Sequence, residues 1–283
     1  MGKIFSWDIS CNCNFNCHYC FISKEGAGRQ ELKNLDGIIT GWKYVYDCCG
    51  ACKIYITGGE PFIYPGFVDI VEGLAKFHIM HITTNLSVPV DDFIERISPQ
   101  KVEFNCTFHP MYISPDSFIK QTKKLKLAGF TCGVCYLAHP LQMREMLNYK
   151  KIFRKNNIDM ALNEFWGNYN GKNYPLEYTE EEKEYYNYVV SWKPDTIEFQ
   201  GARNGTGNIE QLYNLKPPVT NSRLCKAGYN YAAIDAEGNV KRCGQDPSSV
   251  MGNIFEKNLV LLNEPEECSV EYCRSREFNY TSQ

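Results

Sequence analysis

No apolar stretch in this chain approaches the roughly 20 residues that a membrane-spanning helix requires. The opening MGKIFSWDIS carries one lysine and no long apolar segment behind it, which excludes a secretory signal. Met1, Gly2 and Ser6 fit a myristoylation pattern, but these residues run straight into a strand-like segment, which argues against a lipid anchor. Cationic excess is also lacking. At a net charge of -3 nothing points to a broad nucleic-acid-binding surface. Internal repeats and low-complexity segments are absent, which excludes array architectures and long disordered tracts. What remains is a cytoplasmic globular protein whose 283 residues can bury a sizeable core in one large or two modest domains.

Cysteine, by contrast, is abundant. Fourteen cysteines in a reducing compartment are a poor disulfide framework and a good source of metal ligands. Residues 13 to 20 read CNFNCHYC, placing Cys13, Cys17 and Cys20 in a CxxxCxxC run. Three thiolates this close serve one metal centre, and three are one too few to close a four-coordinate site. The competing reading of this spacing is a zinc site completed by Cys11 or His18. A second group, Cys225, Cys243, Cys268 and Cys273, brackets two alternating runs, YAAID and NVKRC, joined by a turn over 236–239, the signature of a β-hairpin. Four ligands around a hairpin can wrap a second cluster, with structural zinc as the simpler alternative. Cys48, Cys49 and Cys52 read as small buried apolar residues. Cys106, Cys132 and Cys135 fall within strands.

Through the first two thirds, short β-branched or aromatic runs (3–10, 53–57, 79–84, 102–108, 131–138, 158–165) alternate with helical patterns (36–49, 66–77, 90–97, 115–128, 140–156, 179–191). Parallel neighbours need crossover connections, so this alternation predicts a parallel sheet with helices outside it. Ser114 and Asp116 around Pro115 start one helix, and Thr179 with Glu182 forms a capping box for another. GNYNGKNYPLEY (167–178) reads as a rim loop or lid, and DTIEFQGARNGTGN as a strand leaving into a Gly/Asn loop. On these signals one domain spans 1–195 and a second 196–283.

The CxxxCxxC run after the first strand, with TGGEP at 57–61 after the second, resembles the radical S-adenosylmethionine (SAM) enzymes. The resemblance implies a partial (β/α)6 TIM-like barrel and a 4Fe-4S cluster on Cys13, Cys17 and Cys20, whose free iron holds the amino and carboxylate groups of SAM. It implies reductive cleavage of SAM to a 5'-deoxyadenosyl radical that abstracts a hydrogen atom. It places cofactor contacts at Tyr19, Gly58, Gly59, Glu60, Thr84, Asn85, Asn105 and Thr107, with Glu60 taking the SAM amino group. His109, His139, Asn163 and Glu164, at strand ends facing the catalytic rim, are the candidate substrate contacts. The second cysteine group resembles a Twitch domain, a shortened SPASM domain built from a β-hairpin and a helix, and implies one auxiliary 4Fe-4S cluster on Cys225, Cys243, Cys268 and Cys273. Its CxxxxC pair departs from the commoner CxxC. Expected partners are a small polar substrate of sugar, aminocyclitol or nucleoside type, undergoing oxidation, and an external one-electron reductant such as flavodoxin or ferredoxin. Because the cluster motif begins by residue 13, no leader-binding segment is expected before it, which favours a small molecule over a ribosomally made peptide. A non-catalytic metal-stabilised binding module is the remaining alternative.

Overall fold

The computed structural model describes residues 2–20, 22, 33–193, 223–271 and 273. Six parallel strands form the body of the molecule: β1 (Ile4–Asp8), β2 (Lys53–Thr57), β3 (Ile79–Thr84), β4 (Val102–Phe108), β5 (Thr131–Ala138) and β6 (Met160–Glu164). They pair in chain order, with registers such as Ile4 opposite Lys53 and Thr84 opposite Cys106. The crossovers carry α1 (Leu35–Cys49), α2 (Phe67–Ala75), α3 (Asp91–Arg96), α4 (Pro115–Leu127) and α5 (Met146–Lys155); α6 (Glu180–Ser191) follows β6. This is the expected partial barrel. None of the helices among the described residues is long and apolar enough to cross a membrane.

Strand alternation decides which face is dry. Phe5, Trp7, Ile54, Ile56, Ile82, Phe104 and Phe108 point to the helical side and are essentially inaccessible. In α1, Ile38, Gly41, Trp42 and Val45 recur at helical spacing and meet that face, with the Trp42 ring edge-on to Trp7 at 5.4 Å. Full burial of one such large side chain stabilises the fold by about 2–3 kcal/mol. Asn34 caps α1 by accepting the Gly37 N–H at 2.7 Å, and Ser114 caps α4 by accepting the Ser117 N–H at 3.2 Å. Thr179 and Glu182 form the capping box at the start of α6. The α5 pattern begins later than its sequence suggests, because Met143–Glu145 is a 3-10 turn after the His139-Pro140 bend.

The opposite face of the sheet is polar and half-buried, and its side chains pair across strands. Lys53 donates to Glu103 at 2.8 Å, His81 lies 3.5 Å from the same oxygen, and Thr107 meets Cys135 at 3.3 Å. The expected hairpin is present as β10 (Tyr231–Ile234) and β11 (Asn239–Cys243). It does not stand apart: β10 pairs in parallel with β1, Ile4 opposite Tyr231, so one nine-stranded sheet runs from β12 (Asp246–Asn253) through β11, β10 and β1 to β6. Among the described residues the chain after the hairpin forms this third antiparallel strand and then β13 (Glu266–Glu267), which pairs back with β9 (Leu224–Cys225) from before the hairpin, rather than a helix. Residues 167–178 form the small hairpin β7 (Gly167–Tyr169) and β8 (Lys172–Tyr174), turning through Asn170 and Gly171, both with positive φ. The segment 195–208 and the boundary at 195/196 lie outside the described residues.

Candidate active site

The cysteine run leaves β1 at its C-terminal end and is clasped by the end of β2. Gly59 N–H donates to Ser10 O at 2.7 Å and Glu60 N–H to Asn12 O at 2.9 Å. This approach explains both glycines. A Cβ on Gly58, whose φ is +115, would fall 2.3 Å from Ser10 O, and one on Gly59 would fall 1.8 Å from Asn12 O. The GGE segment therefore holds the cysteine loop by direct backbone contact.

Glu60 is 2% exposed. Its carboxylate accepts the Phe62 N–H at 3.0 Å, the Thr84 hydroxyl at 2.8 Å and the Asn85 N–H at 2.6 Å, tying the end of β2 to the end of β3. The group that the sequence pattern assigns to the SAM amino group is thus already engaged by the protein. Burial lifts its pKa to about 7, against the pull of the bonds from Asn85, Phe62 and Thr84. Asn85, oriented through its backbone, donates its side-chain amide to Asn14 Oδ1 at 3.0 Å and lies 3.8 Å from Cys13 Sγ.

The other side of the loop meets the ends of β4 and β5. His109 Nδ1 is 2.9 Å from the Tyr19 hydroxyl and 3.8 Å from Cys17 Sγ. Desolvation lowers the His109 pKa to about 4 and that of His139 to about 4, His18 adding to the effect on His139. His139 is fully buried among the rings of His18, Tyr19, Phe165 and Tyr169; its Nδ1 accepts the Leu141 N–H at 3.3 Å while Nε2 has no protein partner. On the inner face below, Asn105 and Thr107 both contact the Cys135 thiol. Asn163 is exposed and Glu164 half-buried on β6, at the far end of the parallel run from β1. The structure therefore joins Tyr19, Glu60, Thr84, Asn85 and His109 to the cysteine loop and leaves Asn163 and Glu164 distant from it in sheet order.

The donor set suits an iron-sulfur cube with one iron free of protein ligands. Cys13 and Cys20 are exposed, and Cys13 Sγ accepts the Phe15 N–H at 3.3 Å. The two residues considered as a fourth ligand are occupied otherwise. The His18 ring packs on Tyr19, His139 and Tyr169, and the Cys11 thiol, raised in pKa by burial, lies beside Asp8, Glu237 and Asp235. Among the described residues, no three His, Cys, Asp or Glu side chains converge closely enough for a single metal ion.

The second cysteine group gathers in one place. Cys225, Cys243, Cys268 and Cys273 all line one small cavity of about 10 Å³, together with Arg242 and Gln245. Backbone N–H groups point at these sulfurs too: Ala227 donates to Cys225 Sγ at 3.4 Å, and Gln245 and Asp246 donate to Cys243. Donation from the N–H two residues on recurs at Cys13, Cys225 and Cys243, an arrangement that favours sulfur in its thiolate form. Sequence spacing alone does not reveal it.

The sequence profile described as the Radical SAM superfamily matches residues 7–163. A GTP 3',8-cyclase of Crocosphaera subtropica is 39% identical over 87 residues, which are 29% of this chain and 24% of that protein. A GTP 3',8-cyclase of Helicobacter pylori is 28% identical over 122 residues, 42% of this chain and 36% of that one. The chain thus matches well under two thirds of the length of these curated relatives. Among solved structures, Streptococcus suis SuiB superposes with a TM-score of 0.59 at 16% identity, covering 91% of this chain and 64% of SuiB. The structure described as anSMEcpe with bound AdoMet gives 0.62 at 13% identity, covering 90% and 75%. At such identities the likeness is one of fold.

Proposed function

The chain belongs to the radical SAM superfamily, and from that membership we propose that it abstracts a hydrogen atom from a small polar substrate held against the inner face of its sheet. The observation that carries the reading is the clasp in which β2 grips the Cys13, Cys17 and Cys20 loop through Gly59 and Glu60 at the mouth of a barrel with a polar lining. When bound, the cluster and SAM supply a reducing electron and an organic radical. The protein supplies position. Glu60 fixes the Thr84–Asn85 corner, Asn85 orients the loop at Cys13, and Tyr19 and His109 flank it at Cys17. Lys53, His81, Glu103, Asn105 and Thr107 give the substrate hydrogen-bonding groups of both kinds, which suits a sugar, aminocyclitol or nucleoside.

In the same reading, Cys225, Cys243, Cys268 and Cys273 hold an auxiliary 4Fe-4S cluster that accepts an electron from the substrate radical, and residues 196–283 form a Twitch-like domain. The shared cavity and the N–H groups aimed at its sulfurs support this. A peptide substrate is the second reading. It is favoured by β6, an edge strand among the described residues, whose Ala161 and Asn163 are exposed and open to pairing with an extended chain.

Anaerobic incubation of the reconstituted protein with SAM and a one-electron reductant is expected to release 5'-deoxyadenosine. Replacing Cys13, Cys17 and Cys20 by alanine together should leave about four of about eight irons and abolish that release. Retained cleavage in the triple variant rejects the assignment.

A further inference from the structure

Tyr19 and His109 meet at a sulfur that the family chemistry makes a metal ligand. His109 Nδ1 is 2.9 Å from the Tyr19 hydroxyl and 3.8 Å from Cys17 Sγ, and the Tyr19 hydroxyl itself contacts the Cys17 thiol. The rings hold this arrangement: Tyr19 and His109 stack at 5.9 Å with planes 21° apart, and Phe15 closes edge-on to His109 at 5.9 Å.

A sulfur bound to iron is a thiolate and can only accept hydrogen bonds. That restricts the protons in the trio. If Nδ1 carried no hydrogen, its lone pair would face the thiolate and the Tyr19 O–H would turn to the imidazole, leaving the sulfur against an acceptor. With the proton on Nδ1, the imidazole donates to Tyr19 Oη and toward Sγ, and the Tyr19 O–H is free to donate to the sulfur. Thiolate ligation therefore selects the Nδ1–H tautomer.

We propose that His109 and Tyr19 act as a positioning pair that hydrogen-bonds the Cys17 thiolate and raises the reduction potential of the cluster at that loop. Hydrogen bonds to cluster sulfurs withdraw negative charge and stabilise the reduced state more than the oxidised one. The electron comes from an external low-potential one-electron donor, and no proton moves. This rests on the cluster assignment above. Asn85 and the Phe15 N–H serve Cys13 in the same way from the opposite side, so the two sulfurs are held by different elements and can be tested separately.

The test is an anaerobic redox titration of the reconstituted holoprotein, following the part of the paramagnetic signal that shifts on addition of SAM. Tyr19→Phe removes one hydroxyl and keeps the ring stack, His109→Phe removes the imidazole, and His109→Asn returns an N–H near the position of Nδ1. Tyr19→Phe and His109→Phe are expected to move the midpoint to more negative values, leaving about tenfold less reduced cluster at fixed potential, or about 59 mV for one electron. His109→Asn is expected to recover part of the shift. Unchanged midpoints in Tyr19→Phe and His109→Phe, with iron content and the SAM-sensitive signal intact, overturn the proposal. If His109→Phe loses iron, the Tyr19→Phe titration decides. A wild-type protein with no SAM-sensitive signal would fail the cluster assignment instead, so the two failures are distinguishable.

Discussion

Glu60 shows how one buried residue can tie together the strand ends of a site. Its carboxylate is enclosed, and three of its lone-pair directions are filled by Phe62, Thr84 and Asn85. Burial sets its pKa at about 7, above the 4.5 of an exposed carboxyl. The folded protein thus keeps this proton through a range where the unfolded chain has released it. The resulting stability is fully present below about 4.5 and is lost as pH rises through 7, a difference of roughly 3 kcal/mol. Glu60→Gln removes the titration but sets an amide against donors that need an acceptor, at a cost of about 1–3 kcal/mol. Melting temperatures of the apoprotein at pH 5 and pH 8 separate the two effects. Wild type is expected to lose more stability than Glu60→Gln across that interval, and equal losses would show the carboxyl already ionised at pH 5. The buried histidines His109 and His139 act in the opposite direction on acidification, but they are common to both proteins and cancel in the comparison.

At the scale of elements, backbone contact between β2 and the cysteine loop does the positioning, and two glycines separate it from ordinary turn chemistry. Gly59→Ala places a Cβ on Asn12 O, a backbone atom that cannot swing aside, and is expected to cost about 4 kcal/mol or more and to lower iron incorporation. Gly50→Ala, at a φ of +75 and ψ of -163 with nothing near its Cβ, is expected to cost about 1–3 kcal/mol from backbone strain alone, with iron retained. Iron assays and thermal melts on the two variants check the contrast, and equal effects would mean that the clasp at Asn12 is dispensable. The parallel strands were legible because runs such as KIYIT and VEFNCTF carry β-branched and aromatic residues between helical repeats, and β2, β3, β4 and β5 begin and end where those runs do. The hairpin β7–β8 lacks apolar alternation, although Asn170-Gly171 is a turn signal that points to it. Strand β12 carries glycine and proline and reads as a loop. The pairing of β10 with β1 joins residues 227 positions apart and leaves no local trace, as does the engagement of the Glu60 carboxylate.

Across the whole molecule, β1 links two cysteine sites. Its C-terminal end delivers Cys13, Cys17 and Cys20, and its free edge is taken by β10, the first strand of the hairpin that ends in Cys243. The second site is thus built onto the edge of the barrel sheet, and its loss can be read independently of the first provided that the barrel stays folded. Cys243→Ala tests this. Cys243 is 7% exposed, so the substitution removes a small buried group along with a ligand. Iron is expected to fall from about eight to about four, while 5'-deoxyadenosine is still released because the clasp on the cysteine loop is untouched. Persistence of SAM cleavage is itself the check that β1 remains in place. Product formation should drop, since one electron leaves the substrate with the abstracted hydrogen atom and a second must pass to an acceptor. The wild-type product should then be two electrons more oxidised than its substrate. With all four cysteines ligating, no iron at this site is open, and added substrate should leave its paramagnetic signal unshifted. A shifted signal together with full iron content in Cys243→Ala would show that only three cysteines bind and that this second site takes the substrate directly.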